Sequence, residues 1–131
     1  MNILRPVDIE DEIRKALKDY MTAYVRPLPE NFTTPCVLIS ATGGSTENTV
    51  DTFAVVLDAR AETDDDAYKL IRSAMGVLEA QACSQFGALR HVIPNNLARW
   101  GNDPARPDLK LCTATMLVTA HRETFTITPN S

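Results

Sequence analysis

The stretch "DLKLCTATMLVTAHRE", residues 108–123, alternates so regularly that it restricts the fold more than any other part of the chain. Successive side chains of an extended strand point to opposite sides. Cys112, Ala114, Met116, Val118 and Ala120 therefore fall on one face, and Leu111, Thr113, Thr115, Leu117 and Thr119 on the other. The first face is small and apolar, suited to helices packed against it. The second is threonine-rich and half polar. This asymmetry calls for a sheet covered by helices on one side only.

Two segments supply such helices. In "VDIEDEIRKALKDYMTAYV", Ile9, Ile13, Leu17, Tyr20 and Tyr24 recur at three- and four-residue steps, which places them on one helical face. A helix over 8–25 is expected, with Asp8 as N-cap and with Glu10–Arg14 and Asp11–Lys15 as (i, i+4) pairs. Pro27 and Pro29 forbid its continuation. Further on, Ala67, Leu70, Ile71, Ala74, Leu78 and Ala82 mark a second amphipathic helix, and Thr63 followed by Asp66 resembles a capping box at its start.

Between the helices, "PCVLIS" and "TVDTFAVVLDAR" read as a hairpin joined through "ATGGSTEN". Its connection is expected to be longer than the two-residue type, with Gly43 and Gly44 at the tip. "FGALRHVIP" reads as a third strand ending at Pro94, and 110–120 as the fourth. The tail "TFTITPNS" is either a fifth edge strand or an arm docked on a neighbouring subunit. The expected fold is α+β: two helices on one face of a mostly antiparallel four- to five-stranded sheet, in the order α-β-β-α-β-β. A single domain over 1–131 is expected, with a long loop over 94–108 and an extended C-terminal segment over 123–131.

The densest cluster of chemistry-bearing residues is "AETDDDAYKL". Asp64, Asp65 and Asp66 fall in the first turn of the second helix, where side chains diverge by about 100° per residue and cannot by themselves enclose one cation. Each instead gains from the positive end of the helix, and Asp65 can pair with Lys69. A metal site would need a further acid; Asp51 and Asp58 are seven residues apart and point to opposite faces of one strand. No phosphate-loop, HExxH, nucleophile-elbow, EF-hand or dinucleotide pattern occurs. Cys36, Cys83 and Cys112 lack metal-ligand spacing, with Cys36 and Cys112 expected to be buried, and neither His91 nor His121 has an adjacent nucleophile. No catalytic residue, metal or cofactor is expected.

A net charge of −4 provides no global field for nucleic acid, and no apolar run is long enough to span a bilayer. Synthesis in the cytosol, without a membrane or direct nucleic-acid partner, is the expectation. "NNLARWGNDPARPD" holds the only Trp beside arginines, a composition typical of interaction hot spots. Trp100 either meets a partner or folds back as a plug on the core.

The order of elements resembles that of the tail terminator and tail completion proteins of long-tailed bacteriophages, with the related minor tail and neck proteins. The resemblance is carried by the opening helix "IEDEIRKALKDYM", by "TFAVVLDARAETDDDAYKLIRSAMGVLEA" running from a hairpin strand into the second helix, and by the closing "PDLKLCTATMLVTAHRE". It is a likeness of layout, and no residue-level motif is transferred. It implies a non-enzymatic structural protein of a phage or prophage. Such a protein forms a ring, commonly a hexamer, that stops tube polymerisation and provides the head-attachment surface. The implied partners are copies of the same chain, the tail tube protein and head-tail connector proteins. The implied location is the host cytoplasm during assembly and then the virion tail. A head-tail connector or neck role is the sibling reading. Two readings from other classes are a small metal-dependent enzyme using the Asp58/Asp64 region with a histidine, and a dimeric ligand-binding domain. Composition and expected exposure mark Gly43, Gly44, Asn96, Arg99, Trp100, Arg106 and Phe125 as interface candidates.

Overall fold

The computed structural model of the chain describes residues 1–47 and 50–130, apart from the side chain of Leu97. The elements follow in the order β1 (Asn2–Arg5), α1 (Ile9–Leu17), β2 (Ala23–Val25), β3 (Cys36–Glu47), β4 (Val50–Ala61), α2 (Asp64–Cys83), β5 (Leu89–Asn102), β6 (Lys110–Ala120) and β7 (Glu123–Thr126). The fold is α+β, with two helices and a mostly antiparallel sheet. The five-stranded sheet has the order β2-β3-β4-β6-β5, in which only the β2–β3 pair is parallel. β1 and β7 form a separate antiparallel ribbon.

The alternation in β6 is realised as read. Cys112, Ala114, Met116, Val118 and Ala120 are all buried, and their register partners Ala59, Leu57 and Val55 on β4 continue the same apolar face. Ile9, Ile13, Ala16 and Leu17 of α1 and Ala67, Ile71, Ala74, Leu78 and Ala82 of α2 join them in one core cluster. On the opposite side, Thr113, Thr115, Leu117 and Thr119 are only half-buried.

α2 begins where its cap requires. Thr63 lies outside the helix with extended dihedrals, and its Oγ1 accepts the Asp66 N–H at 3.1 Å. This satisfies one of the amides that a helix start leaves unpaired. Thr63→Ala is expected to lower unfolding free energy by about 0.5–2 kcal/mol. An unchanged urea midpoint would show that the cap contributes nothing. Asp65 and Lys69 pair at 2.8 Å, as their spacing predicts.

Several expectations are corrected. α1 stops at Leu17 instead of reaching residue 25. The Leu17 carbonyl accepts from both Tyr20 and Met21, closing a turn, and 23–25 then leaves the helix to pair with β3. Sheet pairing gives those residues backbone partners, while Met21, Ala23 and Val25 still pack on the core. Tyr20, expected on the buried face, is exposed. Glu10 bonds Arg26 and the Ala41 N–H in place of Arg14. The hairpin register brings Glu47 opposite Val50, so the connection is two residues, 48 and 49, which lie outside the described residues. The expected strand order also lacked β1 and β2, and the tail, read as a fifth edge strand or a docked arm, forms β7 outside the main sheet, so the described residues hold seven strands in place of four or five. Finally, β5 does not end at Pro94 but continues to Asn102, absorbing the proline and its neighbours in register shifts. A sheet edge tolerates this, because the missing N–H is not needed for pairing on the outer side. The expected 94–108 loop shrinks to 103–109.

Candidate functional site

Two surfaces at opposite edges of the sheet concentrate exposed apolar and charged groups. The first is a cleft of about 590 Å³ between the start of α1 and the outer end of the β3–β4 hairpin. β2 pairs with β3 only through Ile39, so from Ala41 outward β3 has no strand on its outer side among the described residues. Val7, Ile9 and Phe53 give the cleft apolar walls, and Asp8, Glu10 and Asp51 supply carboxylates. Glu10 Oε2 accepts the Ala41 N–H at 2.7 Å and pairs with Arg26 at 2.7 Å, joining helix, strand edge and loop at one carboxylate. Asp51 is buried, accepts from Thr46 at 2.7 Å and is gripped by both Nε and Nη2 of Arg122. The Arg122 hydrogen bond, with that from Thr46, holds its carboxyl below the usual carboxylate value.

Gly43 and Gly44 belong to this wall rather than to a turn. A register shift lies between Ala41 and Gly43, whose φ of +128° is disfavoured for residues with a Cβ. At Gly44 an added Cβ would overlap the carbonyl oxygen of Thr52, so the two strands approach too closely for a side chain.

The second surface lies on β5. Trp100 is opposite Cys112 and so on the helix side of the sheet, yet it is 54% exposed. Its ring meets that of Tyr68 on α2 with centroids 5.6 Å apart, and the Arg72 guanidinium lies 5.2 Å from the Tyr68 centroid. Tyr68 is itself 39% exposed. Trp100 is therefore neither a plug on the core nor isolated; it ends a row of Arg72, Tyr68 and Trp100, with Lys110 and Asp64 beside it. Tyr68 and Arg72 were not singled out in the sequence. Their (i, i+4) spacing carried the signal, since it stacks a guanidinium on a ring one helical turn away.

The remaining candidates are spread over the molecule. Asn96 and Arg99 are exposed on β5, with Arg99 opposite Thr113 on the face away from the helices. Arg106 lies in the 103–109 segment, paired with Asp108 at 3.0 Å and 5.3 Å from the Phe32 ring centroid. The same segment contributes Asp103, which pairs with the buried Arg60 at 3.1 Å. Phe125 belongs to β7, where the Arg5 guanidinium covers its ring at 3.5 Å. The tail is thus paired with β1 within its own chain.

No family model matches the sequence, and no curated protein matches it.

Asp58 and Asp64, the carboxylates that the metal-site reading would use, are not brought together. Asp58 accepts from Thr113 at 2.7 Å on the helix-free face, whereas Asp64 opens α2 on the other side. Among the described residues, no group of three or more His, Cys, Asp or Glu side chains is placed to hold a metal ion. No helix among them is long and apolar enough to cross a membrane. Cys36 and Cys112 are buried, and burial pushes both thiols up, away from the thiolate form.

Proposed function

We propose that the chain is a non-enzymatic structural subunit that forms a ring at the end of a phage or prophage tail tube, ends tube growth and presents the head-attachment surface. The observation that carries an interaction role is the exposed Trp100–Tyr68 pair with Arg72 alongside. Trp, Tyr and Arg dominate binding energy at protein interfaces, and holding two aromatic rings half in water is unfavourable unless a partner covers them. The helix-free sheet face adds a second broad surface, and the likeness to tail proteins rests on the order α-β-β-α-β-β read from the sequence. Neck or connector service is the sibling role on the same grounds.

The chemistry of such a protein is geometry. A ring needs one patch on each subunit to meet a different patch on the next, with a rotation that closes. The tube end and the head side then each see a repeated surface, so individually weak contacts add through multivalency.

Light scattering across protein concentration, with and without a divalent cation, tests this reading. One discrete larger species, growing with concentration and insensitive to the cation, is the expected result. A chain that stays monomeric throughout overturns the ring. A melting temperature that climbs steeply with the cation would instead support the metal-site reading.

The cleft favours one reading of another class, a small-ligand site. Its volume falls in the usual range for ligand pockets, roughly 300–1,000 Å³, and its apolar walls carry a few converging polar groups.

A further inference from the structure

The charged side chains of that cleft already satisfy one another. Glu10 pairs with Arg26 and accepts the Ala41 N–H, Arg122 and Thr46 hold Asp51, and Asp8 caps α1 through the Asp11 N–H. What stays open among the described residues is backbone, along the outer side of β3. The Ala41 N–H points away from β4, as its bond to Glu10 requires, so Ala41 and Val55 face each other without exchanging hydrogen bonds. Alternation along β4 gives Phe53 and Asp51 the same phase as Val55. Their partners Gly44 and Thr46 therefore also turn N–H and C=O outward, beyond the reach of β2. The stretch 42–47 is exposed throughout and carries neither proline nor lysine to deter a further strand.

The β1–β7 ribbon has the matching edge. Met1 and Ile127 exchange both backbone bonds, so Ile3 and Phe125 do the same, and Asn2 and Leu4 turn N–H and C=O away from β7. Among the described residues the ribbon makes at most marginal contact with the other elements, and neither Ile3 nor Phe125 packs on the core. A two-stranded ribbon alone is barely stable in water; a third strand or a packed face is needed. Leu4 is 65% exposed, the one apolar side chain on a ribbon face shared with Asn2, Thr124 and Thr126.

The geometry points to a contact between copies in which β1 of one chain adds antiparallel to residues 44–46 of the next, pairing Leu4 with Gly44 and Asn2 with Thr46. This deepens the ring reading above and rests on it. The outward groups recur every second residue on both edges, so each pair exchanges its N–H and C=O bonds. Main-chain bonding of this kind supplies affinity, and the side chains that alternate along the added strand supply selectivity. Leu4 then stands on the cleft side opposite a residue with no side chain, and meets Phe53 across the glycine and the exposed Pro6 at the rim. The two edges are different surfaces of one chain. Each joined pair keeps one of each free, as a head-to-tail contact that closes by rotation requires.

Two proline variants separate the halves of the contact. Leu4→Pro removes an outward N–H from β1, and Thr46→Pro removes one from β3; neither N–H serves pairing within its own chain. Each alone is expected to weaken self-association about tenfold while keeping the circular dichroism of the parent. Thr46→Val, which keeps the N–H and loses only the hydroxyl bond to Asp51, is expected to associate as the parent does. Mixed in equal amounts, the proline variants are expected to give a heterodimer and nothing larger, because one intact β1 meets one intact β3 edge. If Leu4→Pro unravels the ribbon, Leu4→Asp, which keeps the backbone and carries a charge into the cleft, replaces it. In the associated parent, the amides of Leu4, Gly44 and Thr46 should exchange with solvent more slowly than in the dilute chain.

Proline variants that keep the parental oligomer, or an oligomer in which those amides stay unprotected, overturn the strand contact and leave the ring reading standing. Variants that both dissociate but form no heterodimer also overturn it. A parent chain that is monomeric at every concentration removes both.

Discussion

Asp103→Ala is expected to cost about 3 kcal/mol of unfolding free energy, the lower end of the range for stripping one partner from a buried ion pair. Asp103 Oδ2 accepts from Arg60 Nε at 3.1 Å, and the two side chains are only 14% and 10% exposed. Arg60 Nη1 already has no acceptor among the described residues, so removing the carboxylate leaves a buried guanidinium with no counter-charge. The turn suffers too, because Asp103 Oδ1 accepts the Ala105 N–H at 3.0 Å. The double variant Arg60→Met with Asp103→Ala should recover much of the loss, since an apolar side chain removes the unpaired charge. A single variant with the parental urea midpoint would show that water reaches Arg60 freely.

The same pair predicts a pH dependence. Burial alone pushes the Asp103 carboxyl up, but hydrogen bonds from Arg60 and from the Ala105 and Arg106 N–H groups outweigh it and hold the carboxyl below its ordinary value. A carboxyl depressed in the folded state contributes stability above its unfolded value and loses it as pH falls through the folded one. The gap between parent and Asp103→Ala should therefore be full at neutral pH and shrink below about pH 4. Asp51, held down by Arg122 and Thr46, adds acid sensitivity of the same sign. A gap that stayed constant from pH 7 to pH 3 would mean that the carboxylate charge is not what stabilises the segment.

Leu57→Ala should cost about 3 kcal/mol, whereas its neighbour Val56→Ala should cost about 1 kcal/mol or less. Leu57 sits on the central strand β4 between Ile39 and Ala114, fully buried beneath the helices. Its loss would leave a cavity that rigid neighbours fill only partly. Val56, one residue away, points to the helix-free face between Ser40 and Thr115 and is half-buried. Chemical denaturation of the two variants at concentrations where the chain is monomeric measures the contrast. Equal losses would mean that the second face is covered within a single chain.

That contrast was already legible in the period-two pattern of β6, and so was the start of α2, because burial alternation and helix capping are both written within a few neighbouring residues. β1 and β2 were not legible, and β7 was read only as one of two alternatives, an edge strand or a docked arm. They span three or four residues each, too few to establish a period, and β1 owes its existence to a partner at the far end of the chain, Asn2 opposite Thr126. Gly43 and Gly44 misled for a related reason. Their composition says turn, but what needs them is the positive φ of Gly43 at the register shift and the close approach of Thr52 to Gly44 across the hairpin, neither of which local sequence encodes. Pro94 was read as a stop because it removes a donor, and only its place on an outer strand makes that loss harmless. Of the candidate surfaces, Trp100 stood out by composition, while its company of Tyr68 and Arg72 arises from tertiary packing of α2 against β5. The cleft had no sequence signature, being assembled from four separated segments.

The irregular path of β5 also bears on solubility. An outer strand fourteen residues long would ordinarily template open-ended growth of cross-β fibres by recruiting the backbone of another chain. Here Pro94 withholds a donor, and the register shifts at 89–91, 94–96 and 96–99 break the straight line of amides and carbonyls that such recruitment needs. Copies that meet at this edge must recognise each other by side chains, so growth can be self-limiting and fibrillisation is disfavoured even at high local concentration.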